Sequence, residues 1–101
     1  MNKKYQIEYL PIAEKDLTDI IEYITLDSPQ SALSLLENID ESISNLADLP
    51  FIGVTPRDPR LERLNYRILV VSSYLVFYVV KNDCVEIRRI LHGKRKYQFL
   101  L

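Results

Sequence analysis

Hydrophobic residues follow two rhythms along this chain, and the change between them falls just past its middle. In KYQIEYL, Tyr5, Ile7 and Tyr9 alternate with polar neighbours, the period of a strand with one buried face. Pro11 suits a first helical turn, where its missing N–H costs nothing. Behind it Ala13, Leu17, Ile20, Ile21 and Ile24 recur at helical spacing, while Glu14, Asp16, Asp19 and Glu22 take the other faces. Ser28 and Pro29 then predict an N-cap and first residue for a second helix. There Ala32, Leu36, Ile39, Ile43 and Leu46 form one continuous apolar stripe. Fewer than three heptads end at a proline, which predicts an antiparallel helix pair rather than a coiled coil.

LPFIGVTPRDPR reads as a loop, from its prolines, its glycine and its lack of periodicity. From Arg63 the rhythm becomes that of strands. NYRILVV and YLVFYVV are parted by Ser72 and Ser73, and YLVFYVV and VEIRRIL by KND, both hairpin spacings. YLVFYVV is apolar on both faces, as a central strand would be. The helices are expected to cover one face of the sheet, since nothing else is available to bury it. The predicted order β-α-α-β-β-β gives an α+β fold, a two-helix antiparallel hairpin on one face of a small, mainly antiparallel sheet. Successive strand residues point to opposite faces, so Arg88 and Arg89 cannot both enter the helix-covered core, and one is expected at the sheet margin.

Length adds that residues 1–101 should form a single domain. Cys84 is the only cysteine, which excludes an internal disulfide and suits a reducing cytosol, with a packed strand position as its expected role. The opening MNKKYQIEYL lacks a signal-peptide core. ILVVSSYLVFYVV falls short of the roughly 20 residues of a membrane helix. A cytoplasmic protein without membrane contact is expected.

Charge changes the picture more. The net value of −1 conceals ten acidic against three basic residues in 1–50, and four acidic against ten basic in 51–101. Such asymmetry fits a polyanionic partner, or two halves that complement each other across the fold. The basic positions are Arg57, Arg60, Arg63, Arg67, Arg88, Arg89, Lys94, Arg95 and Lys96, with Lys81 in the last hairpin. Arginine forks match phosphate oxygens at two points, whereas salt bridges to the acidic helices are the plain alternative for any one of them. The closing RILHGKRKYQFLL adds His92, the only histidine, and Tyr97. Cleavage of RNA needs a base for the 2′-OH, an acid for the leaving oxygen and cations on the phosphorane. Acid–base groups contribute roughly 10²–10⁴-fold and electrostatic stabilisation more. His92 and Tyr97 with Arg67 and Arg95 could supply these, although a lone histidine after a strand is more often structural. No metal-ligand spacing and no glycine-rich phosphate loop occur, so no metal and no cofactor are expected.

Taken together, the opening strand and helical hairpin, LADLPFIG, LNYRILVVSSYLVFYVV and VEIRRILHGKRKY resemble the RelE/ParE superfamily of bacterial type II toxins over essentially the full length. No single piece is specific, but their order and spacing are. The resemblance implies a growth-arresting toxin, of the kind tied to plasmid stabilisation. Its partner would be a cognate antitoxin from the same operon, and any DNA contact would be indirect, through that antitoxin. RelE-like members cut mRNA at the ribosome without a metal, whereas ParE-like members are associated with DNA gyrase inhibition and are not known as enzymes. Arg67 matches the basic residue after the tyrosine of the second RelE strand, and Arg95 and Tyr97 match a RelE-like end. Leu75, however, replaces the arginine that usually follows the next strand's tyrosine, and ILHGKRKY looks more ParE-like. The resemblance therefore favours gyrase as target over ribosome and mRNA, with an inactive relative acting as a binding partner as a third reading. Its target or nucleic-acid surface would comprise Arg63, Arg67, Arg88, Arg89, Lys94, Arg95 and Lys96, and its catalytic set, if a nuclease, Arg67, His92, Arg95 and Tyr97.

Overall fold

The computed structural model describes residues 4–94, which form strand β1 (Gln6–Tyr9), helices α1 (Pro11–Asp27) and α2 (Pro29–Ser44), a 3-10 turn at Asn45–Ala47, a short helix α3 (Pro59–Arg63), and strands β2 (Tyr66–Val71), β3 (Tyr74–Lys81) and β4 (Cys84–His92). Pro11 and Pro29 open α1 and α2 as the sequence predicts, because proline's fixed φ suits a first turn that needs no N–H. Ser28 serves both helices. Its amide donates to the Ile24 carbonyl and closes α1, while its hydroxyl oxygen accepts the Ser31 amide at 3.2 Å and opens α2.

The sheet runs β1-β4-β3-β2, with β1 parallel to β4 and the other pairs antiparallel. A chain that leaves β1 through two helices and returns last to its side makes a parallel pair without a tight turn. Both hairpins turn through left-handed residues, Ser72 at φ 54° and Asn82 at φ 53°; asparagine tolerates that region better than most side chains.

One face of the sheet meets the helices. Ala13 of α1 and Ile39 and Ile43 of α2 pack with Leu46 on Val71, Val76, Tyr78, Val85, Ile87 and Ile90. Ile7 and Tyr9 join from β1, with Tyr5 just before it, as their alternation predicts. The α2 stripe is buried at Ala32, Ile39, Ile43 and Leu46. On α1 only Ala13 is buried, and Tyr23 and Leu26 stand 76% and 88% exposed.

The opposite face is also covered, which the sequence reading did not anticipate. LPFIGVTPRDPR was expected to be a loop, yet its end starts α3: Asp58 caps by accepting the Arg60 amide at 2.9 Å, and Pro59 is the first residue. The proline there marks a helix start instead of breaking one. Leu61 is fully buried against Tyr66, Ile68, Phe77, Val79 and Leu91, giving a second core cluster. Burying one leucine contributes about 1.5–3 kcal/mol, enough to hold so short a helix in place.

β4 carries a bulge. Tyr78 faces Ile87, but Phe77 faces Arg89, so Arg88 is the extra residue. No described helix is long and apolar enough to cross a membrane.

Candidate functional site

β2 sends Arg67 towards the loop that runs along its outer edge. Val54 forms an antiparallel bridge with Ile68, exchanging both backbone hydrogen bonds at 2.9 and 2.8 Å. That bridge brings the Phe51 and Gly53 carbonyls beside Arg67, whose Nη1 donates to them at 3.2 and 3.0 Å. The guanidinium also lies over the Phe51 ring, 5.1 Å from its centroid. Beneath this arrangement the Gly53 amide donates to the Tyr78 hydroxyl at 2.8 Å, within the protein. A Cβ at position 53 would lie 2.5 Å from that hydroxyl and 2.9 Å from the Ile68 carbonyl, so only glycine fits. Burial pushes the Tyr78 phenol above its ordinary value, against the opposing pull of the Gly53 amide and Arg67. Arg67 therefore ties a loop to the sheet.

His92 stands at the end of β4. Its ring meets Tyr74 edge-on at 5.2 Å, and its Nδ1 accepts the Lys94 amide at 3.1 Å. That bond requires an unprotonated Nδ1, so the proton of the neutral ring sits on Nε2. Arg67 is level with Tyr78 and His92 with Tyr74, on strands either side of β3. Four residues along and two strands across set their Cα atoms about 17 Å apart, from strand spacings of roughly 3.4 and 4.8 Å. The fold does not bring these two proposed catalytic residues together. Arg95, Lys96 and Tyr97 lie outside the described residues.

The two arginines of β4 sit together at the bulge and take different partners. Arg88 lies over the Tyr66 ring at 5.6 Å and donates to Glu86 at 2.8 Å, on the face that α3 covers. The bond from Arg88 holds the Glu86 carboxyl below its usual range. Arg89 occupies the predicted sheet margin. Its Nε and Nη2 donate to the two Asp16 oxygens of α1 at 2.7 and 2.9 Å, and the Ile90 amide adds a third bond to Asp16 at 3.0 Å. Asp16 in turn holds the Arg89 guanidinium above its ordinary value. Arg63 ends α3 beside the second core cluster, and Lys94 follows β4. Among the described residues the proposed cationic surface is thus distributed over both faces and two corners of the sheet.

Sequence reasoning missed the parts that fix these positions: the Tyr78 hydroxyl, the Gly53 approach and Asp16. A buried tyrosine in an apolar strand was the one readable sign, since its hydroxyl must find a partner. Cys84 is half-buried, with Sγ 3.8 Å from a Glu8 carboxylate oxygen; burial first, then Glu8 and Glu86, push its thiol up. No group of three or more histidine, cysteine or carboxylate side chains among the described residues could hold a metal ion.

Two solved structures share this architecture. The chromosomal ParDE toxin–antitoxin system from P. aeruginosa superposes with a TM-score of 0.74 at 22% identity, over 90% of this chain and 98% of that one. The RelBE2 toxin–antitoxin complex from Mycobacterium tuberculosis gives 0.62 at 17% identity, over 88% and 98%. No protein of curated function matches the sequence significantly. The family described as ParE toxin of type II toxin–antitoxin system, parDE, matches residues 7–97. The helical hairpin, the three-stranded meander and all of β1 but Gln6 fall within that span, and the chain belongs to the ParE toxin family of type II toxin–antitoxin systems.

Proposed function

We propose that this toxin arrests growth in the cytoplasm by gripping a macromolecular target, DNA gyrase, without catalysing a reaction, and that a cognate antitoxin from the same operon neutralises it. The commitment of Arg67 to the Phe51 and Gly53 carbonyls carries the reading. A ribonuclease of this architecture would need that guanidinium on the scissile phosphate. Here it is spent on the scaffold, and the Cα of Arg67 stands about 17 Å from that of the only histidine. The position after Tyr74 is Leu75, packed with the second core cluster. Losing one charge-stabilising donor commonly costs roughly 10²–10³-fold in rate, and Arg67 is the one cation of the nuclease reading among the described residues. Mutual complementarity of the acidic helices and basic strands is realised at Asp16–Arg89.

A metal-free ribonuclease keeps one favourable observation: the exposed His92 has its Nδ1 held by the Lys94 amide, which orients Nε2–H as a donor. The test sets the two readings apart. Expression without antitoxin should induce the SOS response and filamentation, and purified protein should inhibit gyrase supercoiling while ribosome-bound mRNA stays uncut. Codon-phased cuts that vanish in Tyr97→Phe or His92→Gln would overturn the gyrase reading. Growth unaffected by expression would instead favour an inactive binding relative.

A further inference from the structure

Between the 3-10 turn and β2 the chain turns its backbone inward and its apolar side chains outward. Among the described residues, five of the ten large hydrophobic side chains that stand about half or more exposed fall within residues 49–64: Leu49, Phe51, Ile52, Val54 and Leu64. Pro50, Gly53 and Pro56, set between them, are buried. The stretch is fixed at three points. The Gly53 amide donates to the buried Tyr78 hydroxyl, Arg67 donates to the Phe51 and Gly53 carbonyls, and Val54 exchanges both backbone bonds with Ile68. None of these ties buries a side chain of the loop, and neither core cluster includes Phe51, Ile52 or Val54. An arginine and a tyrosine hydroxyl of the sheet thus hold still a loop whose apolar groups face solvent.

We propose that residues 49–64 form a preformed recognition surface by which the toxin grips a protein target that presents an apolar pocket edged with carboxylates. That this target is gyrase rests on the reading above; the surface itself does not. Exposed apolar side chains gathered in one stretch mark an interaction surface, and a loop already fixed at its backbone loses less freedom on docking than a loose one. Phe51 under the Arg67 guanidinium joins two residue types that protein interfaces favour. Charge gives the partner its sign. Residues 49–67 carry Arg57, Arg60, Arg63 and Arg67 against Asp58 and Glu62, an excess of two positive charges. Asp58 is taken by Arg60 at 3.3 Å, and the partners of Arg67 are uncharged carbonyls that leave its charge uncompensated. A nucleic acid fits less well, because Nη1 of the Arg67 fork is already engaged and the side chains of Phe51, Ile52 and Val54 offer no donor to a phosphate. A second copy fits less well too, since a two-fold contact would set the arginine excess against itself.

Two double variants and a control would be compared with the full parent chain, in cells lacking antitoxin and on purified gyrase holoenzyme. Ile52→Ser with Val54→Thr removes the apolar centre, and Arg57→Glu with Arg63→Glu reverses the rim. Tyr23→Ser with Leu26→Ser changes more exposed apolar residues of α1. All are surface changes and should keep the parent's Tm. Each loop variant is expected to bind gyrase at least about tenfold more weakly and to lose growth arrest, while the control keeps both. Tyr78→Phe leaves every exposed side chain in place and frees the loop from beneath, so gyrase binding should weaken several-fold at temperatures where the variant is folded. Loop variants that still arrest growth, or affinity unchanged in Tyr78→Phe, would overturn the proposal. Because the cells hold no antitoxin, a surface that served only the antitoxin would give the first of these results. Duplex DNA bound by the parent and lost in the arginine variant alone would overturn it in favour of a nucleic acid; a parent dimer that dissociates in Ile52→Ser with Val54→Thr would assign the surface to a second copy. Arrest that the loop variants lose, with no gyrase binding by the parent, removes gyrase and keeps the surface. Gyrase binding that the loop variants retain keeps gyrase and removes the surface. A parent that neither arrests growth nor binds gyrase removes both.

Discussion

Tyr78→Phe removes one oxygen from the middle of the protein. That oxygen accepts the Gly53 amide at 2.8 Å, and both residues are buried, so the amide loses its partner with no water to replace it. A buried donor left unsatisfied costs roughly 1–3 kcal/mol. The ring is retained and the void is smaller than a methyl group, so the cavity contribution is minor. For a domain of this size each kcal/mol lowers Tm by about 4–8 °C, and the variant should melt about 5–20 °C below the parent. Urea unfolding followed by circular dichroism should show a lower midpoint with an unchanged slope, the mark of a stability loss without a change in the surface exposed. Gly53→Ala supplies the control. Its added Cβ meets the Tyr78 oxygen at 2.5 Å and the Ile68 carbonyl at 2.9 Å, and the backbone contact survives when the oxygen is removed. The double variant should therefore be less stable than either single one, but by less than the sum of their costs. A loss below about 0.5 kcal/mol for Tyr78→Phe would show that Gly53 finds another acceptor and would refute the reasoning.

Asp16→Ala takes the carboxylate from Arg89 and leaves the Ile90 amide without its acceptor, at a pair whose side chains are 12–15% exposed, and should cost about 3 kcal/mol in urea unfolding, with Asp16→Asn losing less because its amide oxygen can still accept. Burial first, and Asp40 second, raise Tyr9 from 10.0 to about 12. Its folded pKa exceeds the unfolded one, so its contribution to stability is full below pH 10 and declines as pH rises from there through about 12; Tyr9→Phe should flatten the fall of urea midpoints over that window. Cys84, its thiol pushed up by burial and by Glu8 and Glu86, should alkylate with iodoacetamide more slowly at pH 8 than free cysteine, and a faster rate would contradict the packing described.

What could be read from the sequence divides along physical lines. The α2 stripe and both hairpins were legible because short-range periodicity and turn residues determine them locally. α3 was not, although Asp58, Pro59 and Leu61 hold a cap, a first residue and an anchor; one buried leucine is too little pattern without the sheet to bury it. The β4 bulge left a trace: Val85 and Ile87 are two apart, but Ile87 and Ile90 are three. The parallel pairing of β1 with β4 depends on long-range packing that no local pattern records. Arg67 fared worst. Its neighbours in sequence fit a site on a phosphate as well as they fit a clamp on a loop. The difference lies in Phe51 and Gly53, sixteen and fourteen positions upstream, which reach Arg67 only because Val54 pairs with Ile68.

The extra residue at Arg88 resets the phase of everything that follows it. A regular ladder through the same residues would set Arg88 against Phe77, carry Ile90 to the side of Leu75 and turn Leu91 under α1. His92 would then turn to the side that α3 covers. One inserted position thus decides which way Leu91 and His92 are aimed, and a frame change of a single residue there would redirect both without altering their identities.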